Sequence, residues 1–285
     1  MRDDSRGSRV SKAGFRNLRI IEIEIFSHCN RACSWCPNAF IDRSGNIELP
    51  RDLYIKILEE LAVHGFKNHI SFSRYNEPMS HLDLLLDRIA LTHKILPEAR
   101  IIFNTNGDYL SKSNLGKIRI DGLSVMDYDS RGLAACEKTF KECGVRVQDI
   151  RYPYIYGTHK NIREVLYFVD WSAHYKLNYR ATALDLGKRE RRRVPCREPK
   201  YFLGVDYNGN FVPCCNFRSD FAGHERYILG NVRDNTIAEI LSLAQYGKLF
   251  KTLERDDWRQ YPAECRFCQM PLGRYRKKNP SIRFQ

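Results

Sequence analysis

Nothing in this chain resembles a membrane span. A spanning helix needs roughly 18 or more consecutive apolar residues, and no run comes near that in a sequence with mean hydropathy of −0.51. The stretch from Met1 to Gly14 is charged and polar, with no apolar segment and no small-residue cleavage site, so no secretory signal is expected. The expected compartment is the cytoplasm, which argues against disulfides. Internal repeats and low-complexity tracts are also lacking. Acidic residues are outnumbered, 34 against 47 Lys and Arg, leaving a net charge of +13. The basic runs Lys188 to Arg193 and Arg274 to Lys278 hold a single aromatic between them, Tyr275, too few for a single-strand stacking platform. Nucleic acid is therefore not the expected partner. A solvated basic surface is the plain reading, and it could also dock an acidic electron carrier.

What remains is ordinary for a folded domain: 285 residues, 43% hydrophobic and 28% charged, enough for one large domain with a small appendage. Leu18 to Phe26 alternates and is rich in isoleucine, which predicts a strand. Helix is predicted for Leu53 to Val63, strand for His69 to Ser73, helix for Leu82 to Leu96 and strand for Arg100 to Asn104. Leu123 to Met126 reads as strand, Leu133 to Cys143 as helix and Val145 to Tyr152 as strand. Ile162 to His174 then reads as helix and Leu177 to Leu184 as strand. Such alternation implies an α/β fold with a parallel sheet. Six units are too few for a closed eight-unit barrel, so a partial (β/α)6, TIM-like barrel is expected. The pattern stops at Gly187. The expected organisation is an arm over 1–17, a core over 18–186 and a separate unit over 187–285. The last contains a hairpin (Tyr201 to Asp206, the turn Asn208-Gly209-Asn210, then Phe211 and Val212) and a helix from Thr236 to about Leu253.

The ten cysteines are unevenly placed. Cys29, Cys33 and Cys36 follow the first predicted strand with spacing Cys-x3-Cys-x2-Cys. Three thiolates this close can ligate three irons of a cubane, leaving the fourth iron open for a reacting ligand. A zinc site would need a fourth ligand, and His28 is adjacent to Cys29, a poor geometry. The C-terminal ends of parallel strands are where ligands bind, and the motif lies there. A second set, Cys196, Cys214 and the pair Cys265-x2-Cys268, could complete a zinc tetrahedron or a closed 4Fe–4S cluster, and thiol chemistry alone does not choose. Cys215 could replace Cys214, act as a thiol hydrogen donor, or simply pack. Cys136 and Cys143 read as buried apolar residues.

The first motif, with Trp35 just before its last cysteine, resembles the signature of the radical S-adenosylmethionine (SAM) superfamily. Ser73-Arg74-Tyr75-Asn76-Glu77-Pro78 is similar to that family's Gly-Gly-Glu motif, although Tyr75 and Asn76 stand where the glycines would. Asn104-Thr105-Asn106-Gly107 is similar to its Thr-Asn-Gly turn, a stretch that would otherwise pass for an ordinary strand-to-helix turn. The resemblance implies a 4Fe–4S cluster on Cys29, Cys33 and Cys36 that opens SAM to a 5′-deoxyadenosyl radical. It also implies SAM contacts from Trp35, Asn76, Glu77, Thr105 and Asn106. The C-terminal cysteines are similar to the SPASM/Twitch auxiliary-cluster group, in the form with one closed cluster, here Cys196, Cys214, Cys265 and Cys268. Within that group the size and spacings look closest to members acting in aminoglycoside biosynthesis.

Two 4Fe–4S clusters and SAM are thus the expected cofactors, with flavodoxin or ferredoxin as electron donor. The expected reaction is hydrogen abstraction from a small polar substrate (an aminocyclitol, sugar or nucleoside), oxidising a secondary alcohol. Arg180, near the end of the last predicted core strand, is the candidate cation beside the substrate oxygen, unless it is a surface arginine. Epimerisation with Cys215 as hydrogen donor is the alternative. Ribosomal-peptide modification is a further one, disfavoured because only 28 residues precede Cys29, too few for a leader-binding domain.

Overall fold

The computed structural model describes residues 14–171, 180–185, 191–255 and 257–268. The isoleucine-rich run forms β1, Ile20–Ile23. Both faces of this segment are buried, for different reasons. Ile21, Ile23 and Ile25 lie on one face in the apolar core, while Glu22 and Glu24 are buried on the other. Those carboxylates meet cations there: Arg74 Nη1 is 3.3 Å from Glu22, and Arg43 Nη1 is 3.0 Å from Glu24. A charged interior beside an apolar exterior is what a barrel strand next to a polar site requires.

Nine further strands join it: β2 (His69–Ser71), β3 (Arg100–Thr105), β4 (Ile120–Met126), β5 (Arg146–Arg151), β6 (Tyr154–His159), β7 (Ile162–Phe168), β8 (Phe202–Val205), β9 (Asn210–Val212) and β10 (Gly230–Asn231). All ten lie in one sheet, ordered β10-β9-β8-β1-β2-β3-β4-β7-β6-β5. The six from β8 to β7 are mutually parallel and form the open, partial barrel. Both flanks are antiparallel.

Helices cover the apolar face. They are α1 (Arg51–Val63), α2 (Leu82–Ile95), α3 (Lys112–Lys117), α4 (Leu133–Glu142), α5 (Glu198–Tyr201), α6 (Ile237–Ser242) and α7 (Ala244–Glu254). In α1 the stripe Leu53, Tyr54, Ile57, Leu58 and Leu61 has helical spacing and is buried. Tyr54 then bonds Thr92 Oγ1 of α2 at 2.6 Å, satisfying a phenol that burial would otherwise strand. Among the described residues no helix is long and apolar enough to cross a membrane.

The sequence reading fails in three places. Ile162 to Phe168 is not helix but strand β7, whose buried Ile162, Val165 and Tyr167 pack in the sheet. Its β-branched and aromatic residues favour the pleat, and β6, which was not foreseen, pairs with it antiparallel. The strand predicted over Leu177 to Leu184 falls partly outside the described residues. The described part is a turn in which Arg180, Ala181 and Thr182 all have positive φ. The helix expected from Thr236 to Leu253 is two, because Leu243 is extended between α6 and α7.

The β8–β9 hairpin forms as expected. Gly209 takes φ +84°, a conformation suited to glycine, and Asp206 Oδ1 accepts from the Asn208 and Asn210 amides at 2.9 Å. Gly204 in β8 serves a different purpose: a side chain there would collide with the Arg74 guanidinium. The unit expected over 187–285 thus contributes β8 to the same sheet as β1.

Candidate active site

The C-terminal ends of the parallel strands converge on one edge. Past β1 lies the loop of Cys29, Cys33 and Cys36, all half-buried. The Cys29 amide donates to Arg43 O at 3.1 Å, and the Cys36 amide to Cys33 O at 2.8 Å, closing a turn. Burial, and to a lesser degree Glu77 and the other two thiols, pushes Cys29 up to about 11, and burial raises Cys33. The loop is clamped from outside. Arg31 reaches Asp108 at 2.5 Å and Asp129 at 2.7 Å, and Asn30 donates to Asp108 at 2.7 Å. These bonds anchor the thiol loop to the ends of β3 and β4.

Glu77 is the hub behind the loop. Its carboxylate accepts from Thr105 Oγ1 at 2.7 Å, from the Asn106 amide at 2.7 Å and from the Met79 amide at 3.0 Å. Its own amide donates to His28 O at 3.0 Å. Burial nonetheless pushes the carboxyl up to about 7 against those hydrogen bonds. Asn106 also donates to Asn30 at 2.9 Å. Glu77, Thr105 and Asn106, predicted together, therefore lie together beside the thiols. Asn76 differs: its amide donates to Phe72 O at 3.1 Å and accepts from the Arg74 amide at 3.0 Å, so its bonds are local to the loop.

Trp35 lies in an aromatic group that the sequence did not reveal. Its ring centre is 5.8 Å from Tyr128 and 6.0 Å from Trp171, which themselves meet edge to face at 5.1 Å. Tyr128 follows β4, and burial raises its phenol, with smaller influences from Cys33, Arg180, Cys36 and Glu77. Its position just past a parallel strand was the available signal.

The second thiol set lines one cavity: Cys196, Cys214, Cys265 and Cys268, with Asn216 and Arg192. The Cys196 amide donates to Leu253 O of α7 at 2.7 Å, and the Cys268 amide to Cys265 O at 3.3 Å. Asn216 donates through its backbone to Cys214 Sγ at 3.3 Å and through Nδ2 to Cys268 Sγ at 3.4 Å. Burial pushes Cys196 to about 12 and raises Cys265; the hydrogen bond with Cys215, followed by burial, raises Cys214. Thiols crowded this way favour their protonated form until a cation takes the protons' place. An all-thiol donor set gathered in one buried cavity fits a soft metal centre. Cys215 is not among the lining residues. Among the described residues no three His, Cys, Asp or Glu side chains sit as close together as a single ion requires; a cubane spreads its cysteines over separate irons.

One residue spans the two sets. Tyr75 accepts through its carbonyl from Asn38 at 2.8 Å, two residues past Cys36, and donates through its phenol to Cys215 O at 3.0 Å. The Arg218 guanidinium lies 4.0 Å from its ring centre and Arg180 lies 5.9 Å away. Arg180 also donates to Asn216 Oδ1 at 3.2 Å. Among the described residues Arg180 lies on the positive-φ turn, where strand was expected. Non-glycine residues held at positive φ store about 1–3 kcal/mol each and concentrate at functional sites. His224 holds this turn. Its Nδ1 accepts from the Arg218 amide at 3.1 Å, so Nε2 carries the proton and donates to Ala181 O at 2.7 Å.

A three-thiol loop at the mouth of a partial barrel, backed by a buried Glu77, and a closed four-thiol cavity fit an iron–sulfur enzyme that uses SAM. The chain belongs to the radical SAM superfamily, in the group with a SPASM domain. The SPASM family, an iron–sulfur cluster-binding domain, matches residues 196–269. The S-adenosyl-L-methionine-dependent 2-deoxy-scyllo-inosamine dehydrogenase of Niallia circulans is 30% identical over 224 residues, 78% of this chain and 81% of that protein. The crystal structure of BtrN in complex with AdoMet and 2-DOIA matches with a TM-score of 0.69 at 23% identity, covering 89% of this chain and 93% of that one. BtrN in an open conformation matches with a TM-score of 0.60 at 22% identity, covering 89% and 92%. The chain is thus a homologue of a radical SAM dehydrogenase, with SAM and iron–sulfur chemistry.

Proposed function

We propose that this enzyme oxidises a secondary alcohol of a small polar substrate, an aminocyclitol or a close relative, using two 4Fe–4S clusters. When bound, the clusters and SAM supply a hydrogen-abstracting 5′-deoxyadenosyl radical and a one-electron acceptor. Cys29, Cys33 and Cys36 would hold the first cluster, and Cys196, Cys214, Cys265 and Cys268 the second. Residues 18–186 would carry the radical-forming site and 187–285 the auxiliary centre, with flavodoxin or ferredoxin as electron donor.

Glu77, buried and already accepting from Thr105 and Asn106, offers carboxylate charge to the SAM amino group; an arriving ammonium would draw its raised pKa down again. Trp35, packed with Tyr128 and Trp171, would line the SAM side of the thiol loop. Asn76 contributes by shaping its loop. Arg180 is the catalytic candidate. Its guanidinium stays protonated and would sit against the substrate oxygen, favouring loss of the hydroxyl proton once the neighbouring carbon has lost its hydrogen.

The observation that carries this reading is the bond from Arg180 to Asn216, which itself touches two auxiliary thiols. It supports a route for the second electron from the substrate side to a closed centre, as an oxidation needs. Epimerisation would instead use Cys215 as hydrogen donor. Turnover in heavy water separates the two. Oxidation gives a product two mass units lighter, with no solvent deuterium fixed at carbon. Deuterium at carbon in a product of unchanged oxidation state would replace the proposal with the Cys215 reading.

A further inference from the structure

Asn216 touches more of the auxiliary site than any ligand assignment requires of it. It is 1% exposed. Its backbone N–H points at Cys214 Sγ and its side-chain amide at Cys268 Sγ, so one residue serves two of the four thiols. The amide orientation is fixed by chemistry. Arg180 is a donor only, so the Asn216 oxygen must face it, and the NH2 group must then face sulfur. The guanidinium thereby polarises the amide and strengthens its N–H as a donor.

We infer that Asn216 is a positioning residue that sets the reduction potential of the auxiliary centre and couples it to Arg180. The inference rests on the four-cysteine cluster proposed above. Hydrogen bonds to cluster thiolates stabilise the reduced form, which carries more negative charge, and so raise its potential. Because the same amide answers to Arg180, engagement of that guanidinium by a substrate oxygen changes how readily the centre takes an electron. The acceptor is then tuned when substrate is in place.

The test uses the full chain with Cys29→Ala, Cys33→Ala and Cys36→Ala combined, reconstituted anaerobically, so that only the auxiliary centre remains. About four irons in this parent are expected for one closed cluster; none would remove the four-cysteine reading, and this inference with it. An EPR-monitored redox titration then compares the parent with Asn216→Ala and with the isosteric Asn216→Asp. Both should keep about four irons and titrate at a lower midpoint than the parent. Arg180→Gln should shift the midpoint the same way, and combined with Asn216→Ala the shift should be smaller than the sum. An unchanged midpoint in either Asn216 variant at full iron content overturns the inference while leaving the cluster reading intact. Loss of the irons from both Asn216 variants overturns it too, because Asn216 would then hold the centre together instead of tuning it.

Discussion

Tyr75 donates its phenol hydrogen to the carbonyl of Cys215 across 3.0 Å, although 140 residues separate them in sequence. Tyr75 belongs to the loop that ends in Glu77, and Cys215 to the loop of Cys214. The contact is buried, and its acceptor has little access to water. Tyr75→Phe would remove one donor from that carbonyl. The expected loss is about 1–3 kcal/mol of unfolding free energy, measured by chemical denaturation. Unaltered stability would mean that the two loops hold together without it.

Iron content separates the two thiol sets. The wild type should hold about eight irons after anaerobic reconstitution, and Cys268→Ala about four. Cys33→Ala should form no 5′-deoxyadenosine from SAM, whereas Cys268→Ala should still form some if the radical-forming site is the Cys29, Cys33 and Cys36 loop, as proposed. Stoichiometric zinc in the purified protein would count against both clusters.

Arg180→Gln should lower product formation by about 100-fold, in the range usual for assisted proton transfer, and leave SAM cleavage measurable. The ratio of 5′-deoxyadenosine to product is the diagnostic quantity. A ratio near one, at the wild-type rate, would restrict Arg180 to a structural role.

Acid should unfold the protein partly through Asp220. Burial opposes ionisation of this carboxyl, but Arg218 and Arg43, at 2.7 and 2.8 Å, override it and bring the pKa down to about 2. A folded-state pKa below the unfolded value means stability that is present above about pH 4 and lost as pH falls through about 2. The contribution is on the order of 2 kcal/mol. Asp220→Asn should be less stable near neutrality and should show a flatter stability curve across that acid window.

Much of this site could be read from local spacing. Cys29, Cys33 and Cys36 are within eight residues of one another, and Glu77 and Asn106 each follow a strand whose pattern is clear. Contacts made across long separations could not be read this way. Nothing in the residues 202–205 announces a parallel pairing with β1, and nothing distinguishes Cys214 from Cys215 before the loop has a shape. The Ile162–Phe168 segment reads as helix from sequence because a short apolar run fits both periods; the neighbouring β6 decides it by supplying a ladder. The charge of Arg180 is legible in the sequence but its conformation is not, because the positive φ of its turn is held by tertiary contacts such as that of His224.

The pairing of β8 with β1 bears on how the two halves of this chain travel through time. Phe202 to Val205 lie in register with Ile20 to Ile23, so cutting off the tail would bare the backbone of the strand that leads to the first thiol loop. Such an edge invites pairing with another molecule. Between the two thiol sets, among the described residues, runs a backbone ladder four residues long. Substitutions in either strand that disturb this ladder are therefore felt at both thiol sets.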